Sequence, residues 1–134
     1  MNEKELKILS HLRKDARTSL SAISQEAGIP LSTIYDKINR MHKDNLIKKY
    51  SLLLDFSKLG YSCHNILVIK INLPKQQELL LFLQKHTNVN SIHNTFGDYD
   101  VVVETVHRNV GEHYAFLEEL KKLFEISGLQ EFPL

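Results

Sequence analysis

The carboxylates of Asp98 and Asp100, one residue apart on either side of Tyr99 in the stretch HNTFGDYDVVVE (residues 93–104), are the side chains of this chain best disposed for chemistry. Such a pair can move protons, hold a cation, line a binding pocket, or simply decorate a polar turn. Acid–base catalysis needs a third positioned group in a cleft that excludes water. The sequence carries no G-x-S-x-G elbow, no phosphate-cradling glycine loop, and no cysteine–histidine dyad at a recognised spacing, so an enzyme is not expected. A metal centre would recruit His93 or His107 beside the aspartates. The seven histidines, however, include no pair four residues apart, and an EF-hand loop is absent. Neither metal nor cofactor is expected.

The elements around these residues narrow the choice. Leu67, Ile69, Ile71 and Leu73 alternate with Ile66, Val68, Lys70 and Asn72, a period of two that predicts a strand ended by Pro74. Leu79, Leu80, Phe82 and Leu83 then fall on a helical stripe. A weaker strand is read over Val89 to Phe96, with Ile92 and Phe96 on one side, and another over Val101 to Val106. Gly97 and Asp98 supply turn geometry between them. Asn109, with Glu112 three residues on, reads as a capping box ahead of a helix bearing Phe116, Leu117, Leu120, Leu123 and Phe124. Gly128 is read as the helix stop, and LQEFPL as a short last strand. Strand, helix, strand, strand, helix, strand is the ferredoxin-like βαββαβ order, with an antiparallel sheet and both helices on one face. The other face keeps aliphatic residues such as Ile66 and Val68, so a symmetric dimer is expected to cover it.

The first sixty residues read differently. Leu6, Ile8, Leu9 and Leu12 form the apolar stripe of one helix, and Ser19 caps a second bearing Leu20, Ile23 and Ala27. Gly28 ends that helix, and Pro30 opens a third whose inward stripe is Ile34, Ile38 and Met41. Three short helices with a glycine turn before the last form a helix-turn-helix pattern. The third helix has the dimensions to lie in a major groove. Ser32, Thr33, Tyr35, Asp36 and Lys37 lie on its outer face toward base edges, and Arg40, Lys43 and Arg17 suit phosphates. A three-helix module that meets a protein instead accounts for the same stripe. The following apolar run, Ile47 and then Tyr50 to Phe56, is expected to be extended and to pair with another chain.

Charge favours the DNA reading. Net charge is only +1, yet residues 1–60 hold eleven lysines and arginines against seven acids, and the remainder six against nine. One half is thus suited to a polyanion. No apolar run approaches the roughly 18 residues that cross a membrane, so no membrane partner is expected. The N-terminal MNEKELKILS lacks the layout of a signal peptide, and the single Cys63 forms no internal disulfide. A reducing, cytoplasmic setting follows.

Together, the segments KILSHLRKDARTS, AGIPLSTIYDKINRM, NLIKKY and FGDYDVVVE, in this order, resemble the Lrp/AsnC (feast/famine) transcriptional regulators across essentially the whole chain. The resemblance implies an α+β chain in three parts: a helix-turn-helix DNA-binding domain over 1–48, a linking strand or hinge over 49–61, and a ferredoxin-like dimerising and effector-sensing domain over 62–134. It implies double-stranded DNA and a second copy of the chain as partners, with assembly to a tetramer or an octamer of dimers. It also implies a small-molecule effector such as an amino acid. The turn Phe96, Gly97, Asp98, Tyr99 and Asp100 would line the effector pocket, with Asp98 or Asp100 meeting the ligand's ammonium group. On the residues alone, the same turn reads equally well as a polar oligomer contact with Tyr99 at its centre. Four positions depart from the family habit: Pro30 for a serine, Lys37 for an arginine, Asn45 for a glycine, and Phe96 for a small threonine.

Overall fold

A computed structural model describes residues 2–134. The chain divides into two compact units, one running to Leu53 and the other from Leu54 to Leu134.

The first unit holds α1 (Glu3–Lys14), α2 (Leu20–Ala27) and α3 (Leu31–Lys43). A capping box starts α1: Asn2 accepts from the Glu5 N–H at 2.9 Å, and the Glu5 carboxylate accepts from the Asn2 N–H at 3.2 Å. Ser19 caps α2 by accepting from the Ala22 N–H at 3.1 Å. Gly28 then turns left-handed at φ 66°, and its N–H donates to the Ser24 carbonyl. The Ser24 hydroxyl donates in turn to the Ile29 carbonyl at 2.6 Å, which pins the tight α2–α3 turn. Ile8, Leu12, Ile23, Ile29, Ile34, Ile38 and Met41 form the core of this unit. Each such side chain, once fully buried, contributes about 1.5–3 kcal/mol. Leu6, expected on the inward stripe, is exposed instead. After α3 the chain reverses at Asn45, whose φ is 59°.

The second unit begins with a single 3-10 turn, Phe56–Leu59, and continues as β1 (Cys63–Ile71), α4 (Leu73–Lys85), β2 (Val89–Asn94), β3 (Val101–His107), α5 (Val110–Leu123) and β4 (Ile126–Pro133). The sheet order is β2-β3-β1-β4, and every pairing is antiparallel. This is the expected ferredoxin-like arrangement. One face carries Leu67, Ile69, Ile71, Val101 and Val103 into a core with Leu79, Leu83, Phe116, Leu117 and Leu120 from the two helices. The opposite face carries half-buried Ile66, Val68 and Val102, with exposed Phe132.

Three local expectations are corrected. Pro74 lies in the first turn of α4, and Leu73 belongs to that helix as an exposed residue, because proline's missing N–H costs nothing there. β2 stops at Asn94, so Phe96 shares no strand face and is fully exposed. Gly128 does not end α5, which stops at Leu123. It lies within β4 opposite Lys70, beside a register shift, where a Cβ would meet the Lys70 Cβ at 3.3 Å. Within the single chain, the backbone of residues 48–54 makes no hydrogen bond among the described residues. A strand needs a ladder partner, and a single chain offers this segment none.

Candidate nucleic-acid interface and effector turn

Helix α3 presents Ser32, Tyr35, Asp36, Asn39, Arg40 and Lys43, at spacings of three and four, on the side opposite Ile34, Ile38 and Met41. All six are exposed. Arg40, His42 and Lys43 stand in the last turn, where cations complement the helix dipole. Neither Arg40 nor Lys43 forms a salt bridge among the described residues, so both are free to meet phosphate. Arg17 is likewise exposed, in the α1–α2 turn. Beside the start of α3, Leu20, Ser21, Leu31, Ser32, Tyr35 and Asp36 line a shallow groove of 440 Å³.

Two of the expected base-edge residues are placed otherwise. Thr33 is half-buried on the flank of the helix. Lys37 turns toward α1, where its Nζ lies 3.5 Å from the Glu5 carboxylate with only 17% of its side chain exposed. That carboxylate sits below the usual range, chiefly because the Asn2 N–H donates to it and Lys37 lies close by. Lys37 therefore braces α3 against α1. Asn39 stands in the middle of the exposed stripe.

Behind α3, His42 Nε2 lies 3.0 Å from the Tyr50 hydroxyl, which folds the following segment back along the helix. That contact is eight residues long and has no periodic signature in the sequence.

In the second unit, the turn Phe96–Asp100 divides into two parts. Asp100 is tied inward: its carboxylate accepts from the Ile71 N–H at 2.9 Å, its own N–H donates to the Ile69 carbonyl, and its carbonyl accepts from the Thr95 N–H. Thr95 also donates its hydroxyl proton to the Tyr99 carbonyl at 2.6 Å. Gly97, at φ 108°, permits the reversal that an L side chain would resist. Phe96 and Asp98 project outward and are exposed, while Tyr99 is half-buried. The two carboxylates thus do different work, and no group of three histidine, cysteine or acidic side chains among the described residues is arranged to hold a metal.

The open face of the sheet carries one polar island. Glu104 accepts from Asn90, from Ser91 at 3.3 Å and from His64 at 2.7 Å. Burial alone would raise this carboxyl, but those three donors and the nearby His64 charge outweigh it and hold it below the ordinary value.

The family model described as winged helix-turn-helix DNA-binding matches residues 1–48. An AsnC family transcriptional regulator from Agrobacterium tumefaciens superposes with a TM-score of 0.84 at 18% identity, covering 100% of this chain and 90% of that one. A transcriptional regulator from Neisseria meningitidis, solved as a complex with L-Met, gives a TM-score of 0.87 at 13% identity, over 100% and 89% of the two chains. The HTH-type transcriptional regulator FL11 of Pyrococcus horikoshii is 30% identical over 128 residues, 96% of this chain and 85% of that protein. This chain belongs to the Lrp/AsnC family of transcriptional regulators.

Within that family frame, the departures acquire physical meaning. Asn45, one of the four, adopts the left-handed backbone that asparagine tolerates best among L residues. Pro30 precedes α3 at φ −58° but offers no side-chain acceptor to the first turn. The fold is that of Lrp/AsnC regulators, and the helix-turn-helix makes the protein a DNA-binding transcriptional regulator. No described helix is long and apolar enough to cross a membrane.

Proposed function

We propose that the protein acts in the cytoplasm as a sequence-specific regulator, binding double-stranded DNA as a homodimer or a larger assembly of dimers. The observation that carries this reading is the exposed stripe on α3, with polar residues at its start and the unpaired cations Arg40 and Lys43 at its end. Ser32, Tyr35 and Asp36, with Asn39, meet base edges; Arg40, Lys43 and Arg17 neutralise phosphates. Lys37 and Thr33 position the helix rather than read the groove. The functional parts are 1–48 for DNA, 49–61 as the hinge, and 62–134 for dimerisation and sensing. Ile66, Val68, Val102 and Phe132 on the open sheet face suit a second copy of the chain. A twofold assembly implies a palindromic site, with half-sites about 34 Å apart or at a multiple of that.

The turn Phe96–Asp100 is the proposed effector wall, with the exposed Asp98 carboxylate available to an amino acid's ammonium group. The Neisseria relative's complex with L-Met supports an amino-acid class for that ligand. The protein is not an enzyme on this reading, since the Asp100 carboxylate is committed to the Ile71 N–H. Selection of bound duplexes with Ser32→Ala and with Arg40→Ala tests the assignment. Ser32→Ala shifts the preferred base at one half-site position, whereas Arg40→Ala weakens all sites without changing the preference. An unchanged preference in Ser32→Ala would count against base contact there and favour a protein partner for α3.

A further inference from the structure

The buried polar side chains among the described residues are Asn65, Thr105, His107 and His113, and they share one place. Asn65 and Thr105 are register partners on the helix-covered face of β1 and β3. His107 lies two residues beyond Thr105 on the same face, opposite Cys63. This is the end of the sheet remote from the Phe96–Asp100 turn. His113 comes down from α5, with its ring centroid 5.5 Å from that of His107. Phe116, one turn further along α5, lies 5.3 Å from His107 and 4.8 Å from His86 at the end of α4.

His107 is 2% exposed and neither of its ring nitrogens has a hydrogen-bond partner among the described residues; His113 is 4% exposed and its Nδ1 has none there. His113 Nε2 faces the Glu131 carboxylate of β4 at 2.5 Å. Glu112 and Glu119 of α5 line a 220 Å³ cavity together with His86 and His107, and Cys63 is the titratable neighbour on β1. Burial, reinforced by the positive charge that His113 and His86 can carry, holds the His107 imidazole below its ordinary value, with Glu112 opposing.

We propose that this patch is an acid-operated latch: neutral His107 lets the first half of α5 seat on the sheet, and protonation of His107 releases it. A protonated His107 ring finds no hydrogen-bond acceptor among the described residues, and any positive charge on the His113 ring, 5.5 Å away in a low-dielectric interior, opposes its proton. The charge becomes fully hydrated when α5 lifts at Val110–Leu117. Because the seated form binds the proton less readily than the lifted form, seating is fully favoured above the ordinary histidine value of about 6.5 and weakens as pH falls below it. The latch is independent of the DNA and effector assignments, and its failure leaves both untouched.

The test is an NMR titration of the histidine ring protons in the full chain, combined with amide exchange at pH 7.5 and 5.5 corrected for intrinsic rates. The expected result is a His107 midpoint below that of an ordinary histidine. With it comes several-fold faster corrected exchange at pH 5.5 for the amides of residues 110–117, up to the ceiling of about tenfold that one histidine allows, and little change in α1–α3. His107→Gln removes the acid response, and His113→Gln raises the His107 midpoint. A His107 that titrates as an ordinary histidine would overturn the proposal, as would pH-invariant exchange in α5 or an acid response that survives in His107→Gln. Where His107→Gln does not fold, the titration of the unaltered protein decides.

Discussion

The Asp100 carboxylate accepts a hydrogen bond from the Ile71 N–H at 2.9 Å, joining the β2–β3 turn to the far end of β1. Its neighbour Asp98, two residues away, is exposed and forms no hydrogen bond among the described residues. Asp100→Ala therefore leaves a half-buried backbone donor unpaired and is expected to cost about 1–3 kcal/mol in urea unfolding. Asp98→Ala is expected to stay within about 0.5 kcal/mol. Equal losses in the two variants would mean that the turn is not held in this way.

Arg40 and Lys43 provide a quantitative test of the DNA face. Each phosphate contact contributes roughly 0.9 to the slope of log affinity against log salt. Arg40→Ala and Lys43→Ala are each expected to flatten that slope by about one unit per half-site in fluorescence anisotropy across a salt series. Lys37→Ala, which removes the partner of Glu5 rather than a free cation, is expected to change the slope less than either.

Glu104 sets a pH dependence of the same sign as that of His107, in a more acidic window. Its carboxyl is lower in the folded chain than in the unfolded one, so folding stability from this group is complete above the ordinary carboxylate value of about 4.3 and is lost as pH falls through the lower folded value. Glu104→Gln is expected to be less stable at pH 7 and to show a flatter acid limb in thermal melts. An acid limb identical to that of the unaltered protein would remove Glu104 from the account.

Asn45 tests the reversal after α3. A β-carbon in the left-handed region costs an ordinary residue roughly 1–2 kcal/mol, and asparagine offsets part of this through local hydrogen bonding. Asn45→Ala is expected to lose about 1 kcal/mol, and Asn45→Gly to hold or gain stability. Chemical denaturation of the pair gives the answer directly.

Much of this architecture was legible in the residues. The stripe Ile34, Ile38 and Met41 and the alternation of Leu67, Ile69 and Ile71 bury as their periods require, since burial is what those periods encode. Caps at Ser19 and Asn109 were legible because a short polar side chain before an apolar helix has few other uses. Gly128 was misread because glycine serves both a helix end and a crowded strand position, and only the packing against Lys70 separates the two. The pairing of Lys37 with Glu5 was hidden because the two lie thirty-two residues apart, on different helices. For the same reason the two roles within Gly97–Asp100 were hidden: Ile71 is distant in sequence and meets Asp100 only through the sheet.

The central claim is tested most directly by incubating the full chain with a random-sequence duplex pool across a salt series and sequencing what is retained. The account predicts an enriched palindromic motif, with half-sites one helical turn apart or a multiple of it, and affinity that falls steeply with salt. Retention that is weak and motif-free at every salt concentration would contradict it.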